Sequence, residues 1–162
     1  MKKILLLSVL SVLLLSCEKK IGGPVPNIMI NIAYRDGMGL DLLNPANAPY
    51  ISAADIDVYF LTPQGERRRL YKSNLDMPEH FRIDKDDTGN HQLTLFFEPD
   101  LDCIDKNKMA TMFLTYTQKT EDKFVGKFNR VEWPRTLEKL WINDKLVWEI
   151  GSSSQRRVTI IK

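Results

Sequence analysis

Beyond residue 27, apolar side chains recur at every second position and nowhere with a sustained helical period. Ile28, Ile30, Ile32 and Tyr34 alternate with Met29, Asn31 and Ala33, and Met112, Leu114 and Tyr116 alternate with Thr111, Phe113 and Thr115. Leu93, Leu95 and Phe97 repeat the pattern. A period of two belongs to a strand with one buried face, whereas a helix places its apolar residues three and four apart. A body made of such strands must bury each apolar face against another layer.

Turn residues divide the rest of the chain into short pieces. Asp36-Gly37-Met38-Gly39 ends the first strand, and Leu40, Leu42 and Leu43 are expected to plug one end of the core. Asn44-Pro45 and Ala48-Pro49 keep the next connection irregular, and Ser52 to Asp55 suits a single helical turn. Ile56 to Leu61 reads as the second strand, followed by a type I turn over Thr62-Pro63-Gln64-Gly65 and an antiparallel return over Glu66 to Lys72. Phe81 to Asp84 is a short edge strand, and Lys85 to Asn90 is a turn. Lys123 to Trp133 continues the alternation, with Gly126 as a bulge site, until Trp133-Pro134 breaks it. Leu140 to Glu149 reads as a hairpin around Asn143-Asp144, two residues that tolerate the positive φ of a type I′ turn. Val158 to Ile161 closes the chain. About eight or nine short strands imply an all-β, antiparallel β-sandwich, immunoglobulin-like or transthyretin-like, with a β-barrel as the alternative. Residues 28–162 form its single domain.

The first 17 residues have a different character. Lys2 and Lys3 precede an unbroken run of Ile, Leu, Val and Ser from Ile4 to Ser16. Thirteen helical residues are roughly 20 Å long, short of the ~30 Å hydrocarbon core of a bilayer. The run therefore reads as a signal peptide, residues 1–16, rather than a membrane span. Leu14-Leu15-Ser16-Cys17 resembles a bacterial lipobox. That resemblance implies cleavage between Ser16 and Cys17 and lipidation of the Cys17 thiol. Two or three acyl chains, at ~0.8 kcal/mol per buried CH₂, would hold the chain on a membrane. Residues 17–27 are then a lipidated cysteine and tether, because Gly22-Gly23-Pro24-Val25-Pro26 resists both helix and ladder.

Removing residues 1–16 takes away two of the 23 basic residues, leaving 21 against 21 acids. A neutral body argues against nucleic acid, which needs a basic surface. With Cys17 lipidated, Cys103 has no cysteine partner, so burial and backbone pairing must supply stability.

Three features together resemble small cell-envelope lipoproteins of Bacteroidota. They are the lipobox, the Asp36-Gly37 and Gly39-Leu40-Asp41-Leu42-Leu43-Asn44-Pro45 segment, and the Trp141-Ile142-Asn143-Asp144-Lys145-Leu146-Val147-Trp148 hairpin. The resemblance implies an envelope β-domain and brings no catalytic residues with it. Glu18 after Cys17 does not resemble the Asp that retains many lipoproteins in an inner membrane. An outer-membrane location is expected, with the periplasmic face of the inner membrane as the alternative.

Few residues carry candidate chemistry. Cys103 sits among Asp100, Asp102 and Asp105, which raise a thiol pKa and disfavour a thiolate nucleophile acting with His80 or His91. Asp84-Lys85-Asp86-Asp87-Thr88-Gly89 resembles the start of a calcium loop, but the closing Glu position falls on Leu95. Asp84 and Asp86 would need Asp100 and Asp102 to complete a metal site. The histidines lack zinc spacing, no Gly-rich phosphate loop appears, and no residue pattern requires a cofactor. Arg67-Arg68-Arg69 and Arg156-Arg157 suit either a basic spot for an acidic partner or the guarding of edge strands. Trp133, Trp141 and Trp148 are the remaining ligand-binding candidates, for a sugar ring. In a two-residue hairpin Trp141 faces Leu146, so Trp141, Leu146 and Trp148 should share one face, either core or aromatic platform. The expected function is a membrane-anchored, non-enzymatic interaction module that contacts an envelope protein, with carbohydrate binding as the alternative.

Overall fold

The computed structural model describes residues 28–162 except 70, 74–76, 117–119 and 153–155. The expected signal peptide, Ser16–Cys17 cleavage point and tether lie outside the described residues.

Ten strands form two sheets. They are β1 (Met29–Arg35), β2 (Ile56–Leu61), β3 (Arg67–Arg69), β4 (Phe81–Lys85), β5 (His91–Phe96), β6 (Met109–Tyr116), β7 (Glu121–Phe128), β8 (Leu137–Ile142), β9 (Lys145–Glu149) and β10 (Arg157–Ile161). One sheet has the order β10-β1-β5-β4 and the other β3-β2-β6-β7-β8-β9. The sheets pack face to face as a β-sandwich and do not close into a barrel.

The alternation read from the sequence sets which face is buried. Every second residue of β6 is buried, and β7 follows the same rule from Asp122 onward. Ile30, Ile32 and Tyr34 of β1 and Leu93 and Leu95 of β5 meet Phe60, Met112, Leu114 and Phe124 of the opposite sheet. Phe97 lies between Phe60 and Phe128, with ring centroids 5.7 and 5.9 Å away. Each such side chain, fully buried, contributes roughly 1.5–3 kcal/mol.

Local chemistry fixes the turns. Gly65 N–H donates to the Thr62 carbonyl at 2.9 Å, closing the expected type I turn. Asn143 and Asp144 have φ of 49° and 67°, as a type I′ hairpin demands. Ser52 caps the 3₁₀ turn Ala53–Asp55 by accepting from Ala54 N–H.

Four expectations need correction. Among the described residues, the return after Gly65 pairs over Arg67–Arg69, and Tyr71 is exposed. The strand through Gly126 spans Glu121–Phe128 and does not reach Trp133. Asn129 ends it by turning back on Thr136, accepting the Thr136 N–H on its side-chain oxygen at 2.9 Å. Leu42 and Leu43 enter the core, but Leu40 stays outside, because Asp36 binds the Leu40 N–H at 2.7 Å and holds it in the turn. Finally, β10 pairs parallel to β1, whereas every other strand pair is antiparallel. It arrives from the other sheet, so no tight turn imposes an antiparallel return.

Gly126 has a packing reason rather than a bulge. Its pairings with Ala110 and Leu140 are regular, and the register shift falls one step later, between Lys127 and Phe128. A Cβ at Gly126 would lie 2.6 Å from a Phe97 ring carbon and 2.7 Å from Leu137 Cδ1.

Candidate functional site

The hairpin β8–β9 pairs Ile142 with Lys145 and Trp141 with Leu146, as its two-residue turn requires. Leu140 then pairs with Trp148, which leaves Val147 as an extra residue in β9. This bulge reverses the facing of the rest of the strand. Trp148 turns into the core beside Leu140 and is 8% exposed, with the Arg156 guanidinium 4.5 Å from its ring centroid. Trp141 lies on the opposite face, half-buried. The expected shared face of Trp141 and Trp148 does not form, and the geometric premise of a paired sugar platform goes with it. Trp133 is 55% exposed, on the loop between β7 and β8.

The acidic clusters are kept apart. Asp84 lies near the end of β4 and Asp86 in the turn from β4 to β5, whereas Asp100 and Asp102 lie beyond the far end of β5. Asp86 shapes its own turn, accepting from Thr88 N–H at 2.9 Å, Thr88 Oγ1 at 2.6 Å and Asn90 N–H at 3.0 Å. The Thr88 hydroxyl, above the other contacts, holds its carboxyl below the usual range. Asp84 pairs with Arg82, Asp102 with Arg68, and Asp100 with Lys72 at 3.2 Å. Among the described residues no three His, Cys, Asp or Glu side chains converge as metal ligands.

The arginine runs lie on or beside edge strands, and Arg67, Arg68, Arg69 and Arg157 face acids, while Arg156 lies over Trp148. Arg67 makes a two-pronged pair with Glu121 at 2.8 and 3.0 Å and lies 4.1 Å from the Phe113 centroid. Arg69 meets Asp57 at 2.8 Å, and Arg157 meets Asp86 at 3.4 Å. This is charge guarding of β3 and β10. Cys103 is buried, and burial first, then Asp102, pushes its thiol pKa up. His91 borders Asp41, whereas His80 is buried in a T-shaped contact with Phe60, ring centroids 6.1 Å apart, and both its ring nitrogens are without a hydrogen bond. Burial, aided by Lys72, keeps His80 below its ordinary pKa.

One polar centre was missed from the sequence. Asp122, fully buried in β7, accepts both the Tyr34 and Tyr116 hydroxyls on Oδ2 at 2.9 Å. Its Oδ1 accepts from Asn143 Nδ2 and from Lys162 Nζ, each at 2.7 Å. Tyr34 belongs to one sheet and Asp122 to the other, so the centre bolts the two together at one end. Burial alone would raise the Asp122 pKa, but the bonds from Lys162, Asn143 and Tyr116 outweigh it, and the carboxyl sits below its ordinary value. Burial and the Asp122 charge push both phenols well above theirs. The available signal was position: 122, 124, 126 and 128 share the core-facing phase of β7, and a carboxylate there must be paired.

Clefts and exposed apolar side chains also mark the surface of the described residues. A cleft of about 420 Å³ lies beside the β4 edge, between Tyr71, Met77, Phe81 and Ile83. A polar cleft of about 210 Å³ includes Arg35, His91 and Arg157. At the end where β1 finishes, the loop after Asp36 exposes Met38 (95%), Leu40 and Tyr50. Asp36 pins this loop by accepting from Met38 and Leu40 N–H, and buried Asp41 accepts from Leu43 N–H at 3.1 Å and His91 N–H at 3.0 Å. At the end where β1 starts, Leu101, Trp133 and Ile150 are exposed. Compared with known proteins, the chain matches no family model, no curated protein and no solved structure.

Proposed function

We propose that the chain is a lipid-anchored protein of the bacterial cell envelope, most simply the outer membrane, whose β-sandwich is a non-enzymatic interaction module. The observation that carries this reading is Leu14-Leu15-Ser16-Cys17, closing a short apolar run with ten residues between it and Ile28, the first described residue. The resemblance to small Bacteroidota lipoproteins agrees with it. The loop Asp36–Tyr50 supports an interaction role. Exposed apolar side chains cost solvation, yet here they stand on a turn that Asp36 and Asp41 hold in shape, as a protein-contact surface would. A protein partner at the loop, reached from the membrane, is the role assigned.

Peptide mass analysis of the chain purified from envelopes tests the anchor. The expected result is a new amino terminus at Cys17 carrying diacylglyceryl and acyl mass, with Cys17→Ala released from membranes. An unmodified Cys17 thiol in a chain that keeps residues 1–16 would overturn it. For the contact surface, Met38→Asp with Tyr50→Asp should abolish any adduct cross-linked in envelopes while leaving the melting temperature unchanged. An adduct that survives both substitutions places the contact elsewhere.

A further inference from the structure

The end at which β1 begins is built differently from the other. Phe97 N–H donates to the Ile28 carbonyl at 3.1 Å, so the end of β5 lies against the first described residue. Two residues on, the Pro99 carbonyl accepts from the Arg135 guanidinium at 2.6 Å, and the same guanidinium donates to the Val131 carbonyl at 2.8 Å. Arg135 is itself buried. It fastens the β7–β8 loop of one sheet to the segment leaving β5 of the other. The loop is pinched at its base, where Asn129 N–H donates to the Thr136 carbonyl at 3.1 Å and Thr136 N–H returns a bond to the Asn129 side chain at 2.9 Å. Trp133 stands on this held loop and is 55% exposed, while Leu101, two residues past Pro99, is 59% exposed. Ile150 leaves β9 at the same end, its N–H on the Glu138 carbonyl beside the start of β8.

We infer that this end is a bilayer-contacting face, on which Trp133, with Leu101 and Ile150, seats in the interfacial layer of the membrane that holds the chain. The inference rests on the lipid-anchor reading. The occupant follows from where the chain outside the described residues leads. Ten residues separate Cys17 from Ile28, and fully extended they reach at most about 33–36 Å. An anchor at Cys17 holds Ile28 within that distance of the lipid, and the loop of Trp133 is bonded to the segment that Ile28 touches. An indole suits that depth, with its apolar ring in the acyl boundary and its N–H among headgroups. The neighbouring exposed Lys106 and Arg130 suit anionic phosphates, and the turn bearing Lys106 is tied to the loop by Lys108 Nζ on the Asn129 carbonyl at 2.9 Å.

The test uses the full chain, purified from membranes and reconstituted into vesicles of phosphatidylethanolamine and phosphatidylglycerol, with and without brominated acyl chains. Bromolipid should quench on the order of a third of the tryptophan emission, one indole of three. Trp133→Phe should abolish that quenching, and Trp141→Phe should retain it. A chain that carries acyl mass and floats with vesicles, yet shows no Trp133-dependent quenching, overturns the contact and leaves the anchor standing. A chain that lacks acyl mass and stays in the aqueous phase overturns both.

Discussion

Removing the Asp122 carboxylate should be the most damaging single change in the body outside its apolar core. Asp122→Ala deletes four hydrogen bonds, two from phenols, one from Asn143 and one from the Lys162 ammonium. Hydrogen bonds to charged groups contribute roughly 1.5–3 kcal/mol each but do not add within one network. Removing one partner of a buried ion pair costs about 3–5 kcal/mol. The Lys162 side chain is 25% exposed and can turn toward water, which places the expected loss near the lower limit, about 3 kcal/mol. Against a domain stability of about 5–15 kcal/mol this is a large fraction. It should appear in urea melts as a lower midpoint and in heating as a fall of roughly 10 °C. A double-mutant cycle with Lys162→Met isolates the ion pair, and its coupling should exceed about 1 kcal/mol. The sign with pH follows from the lowered carboxyl pKa. The network's contribution is complete above the ordinary value of 3.8 and is lost as pH falls through the lower folded value. Asp122→Ala should therefore flatten the acid limb of the stability curve. A loss under about 1 kcal/mol, no coupling to Lys162 and an unchanged acid limb would together refute the reasoning.

Gly126→Ala should destabilise by about 1–3 kcal/mol, because its methyl must displace the Phe97 ring and Leu137, and urea melts of the variant would show it. The Cys103 thiol should react with Ellman's reagent at pH 8 about a hundredfold more slowly in the native chain than in denaturant, since it is buried and its pKa is raised. Equal rates would mean that the thiol is accessible. Burial holds the His80 pKa below 6.5 in the fold, so its contribution is complete above 6.5 and declines as pH falls below that value, where the unfolded chain takes the proton first. His80→Leu should remove the part of the stability slope between pH 7 and 5 that belongs to this ring, and an unchanged slope would assign it to other groups.

The strands were legible because each apolar face writes a period of two. Phe124 and Phe128 inside one strand and Leu93 and Leu95 inside another left little freedom. Turn chemistry was equally local, as at Gly65 and at Asn143-Asp144, where the backbone needs a conformation few residues favour. What escaped depends on partners distant in sequence. The Val147 bulge, which separates Trp141 from Trp148, leaves no mark in a hairpin whose alternation looks unbroken. Asp122 recruits Tyr34 from 88 residues away and Lys162 from 40, and nothing near Asp122 announces either. The exposed end around Trp133 was visible only as a break before proline, because the bond that holds it joins Arg135, in the β7–β8 loop, to Pro99, in the segment leaving β5 of the other sheet.

The parallel seating of β10 on β1 has a mechanical consequence. β1 is an interior strand, hydrogen-bonded on one flank to β10 and on the other to β5. Tension between the segment preceding Ile28 and the far end of the sandwich runs along the axis of β1. Its ladder bonds lie across that axis, so both rows are loaded together in shear rather than opened one at a time from an edge. A domain held at that end and pulled by a partner at the other would yield through simultaneous rupture of two ladders. Hairpin β8–β9, joined to its sheet along β8 only, would peel in sequence under the same load.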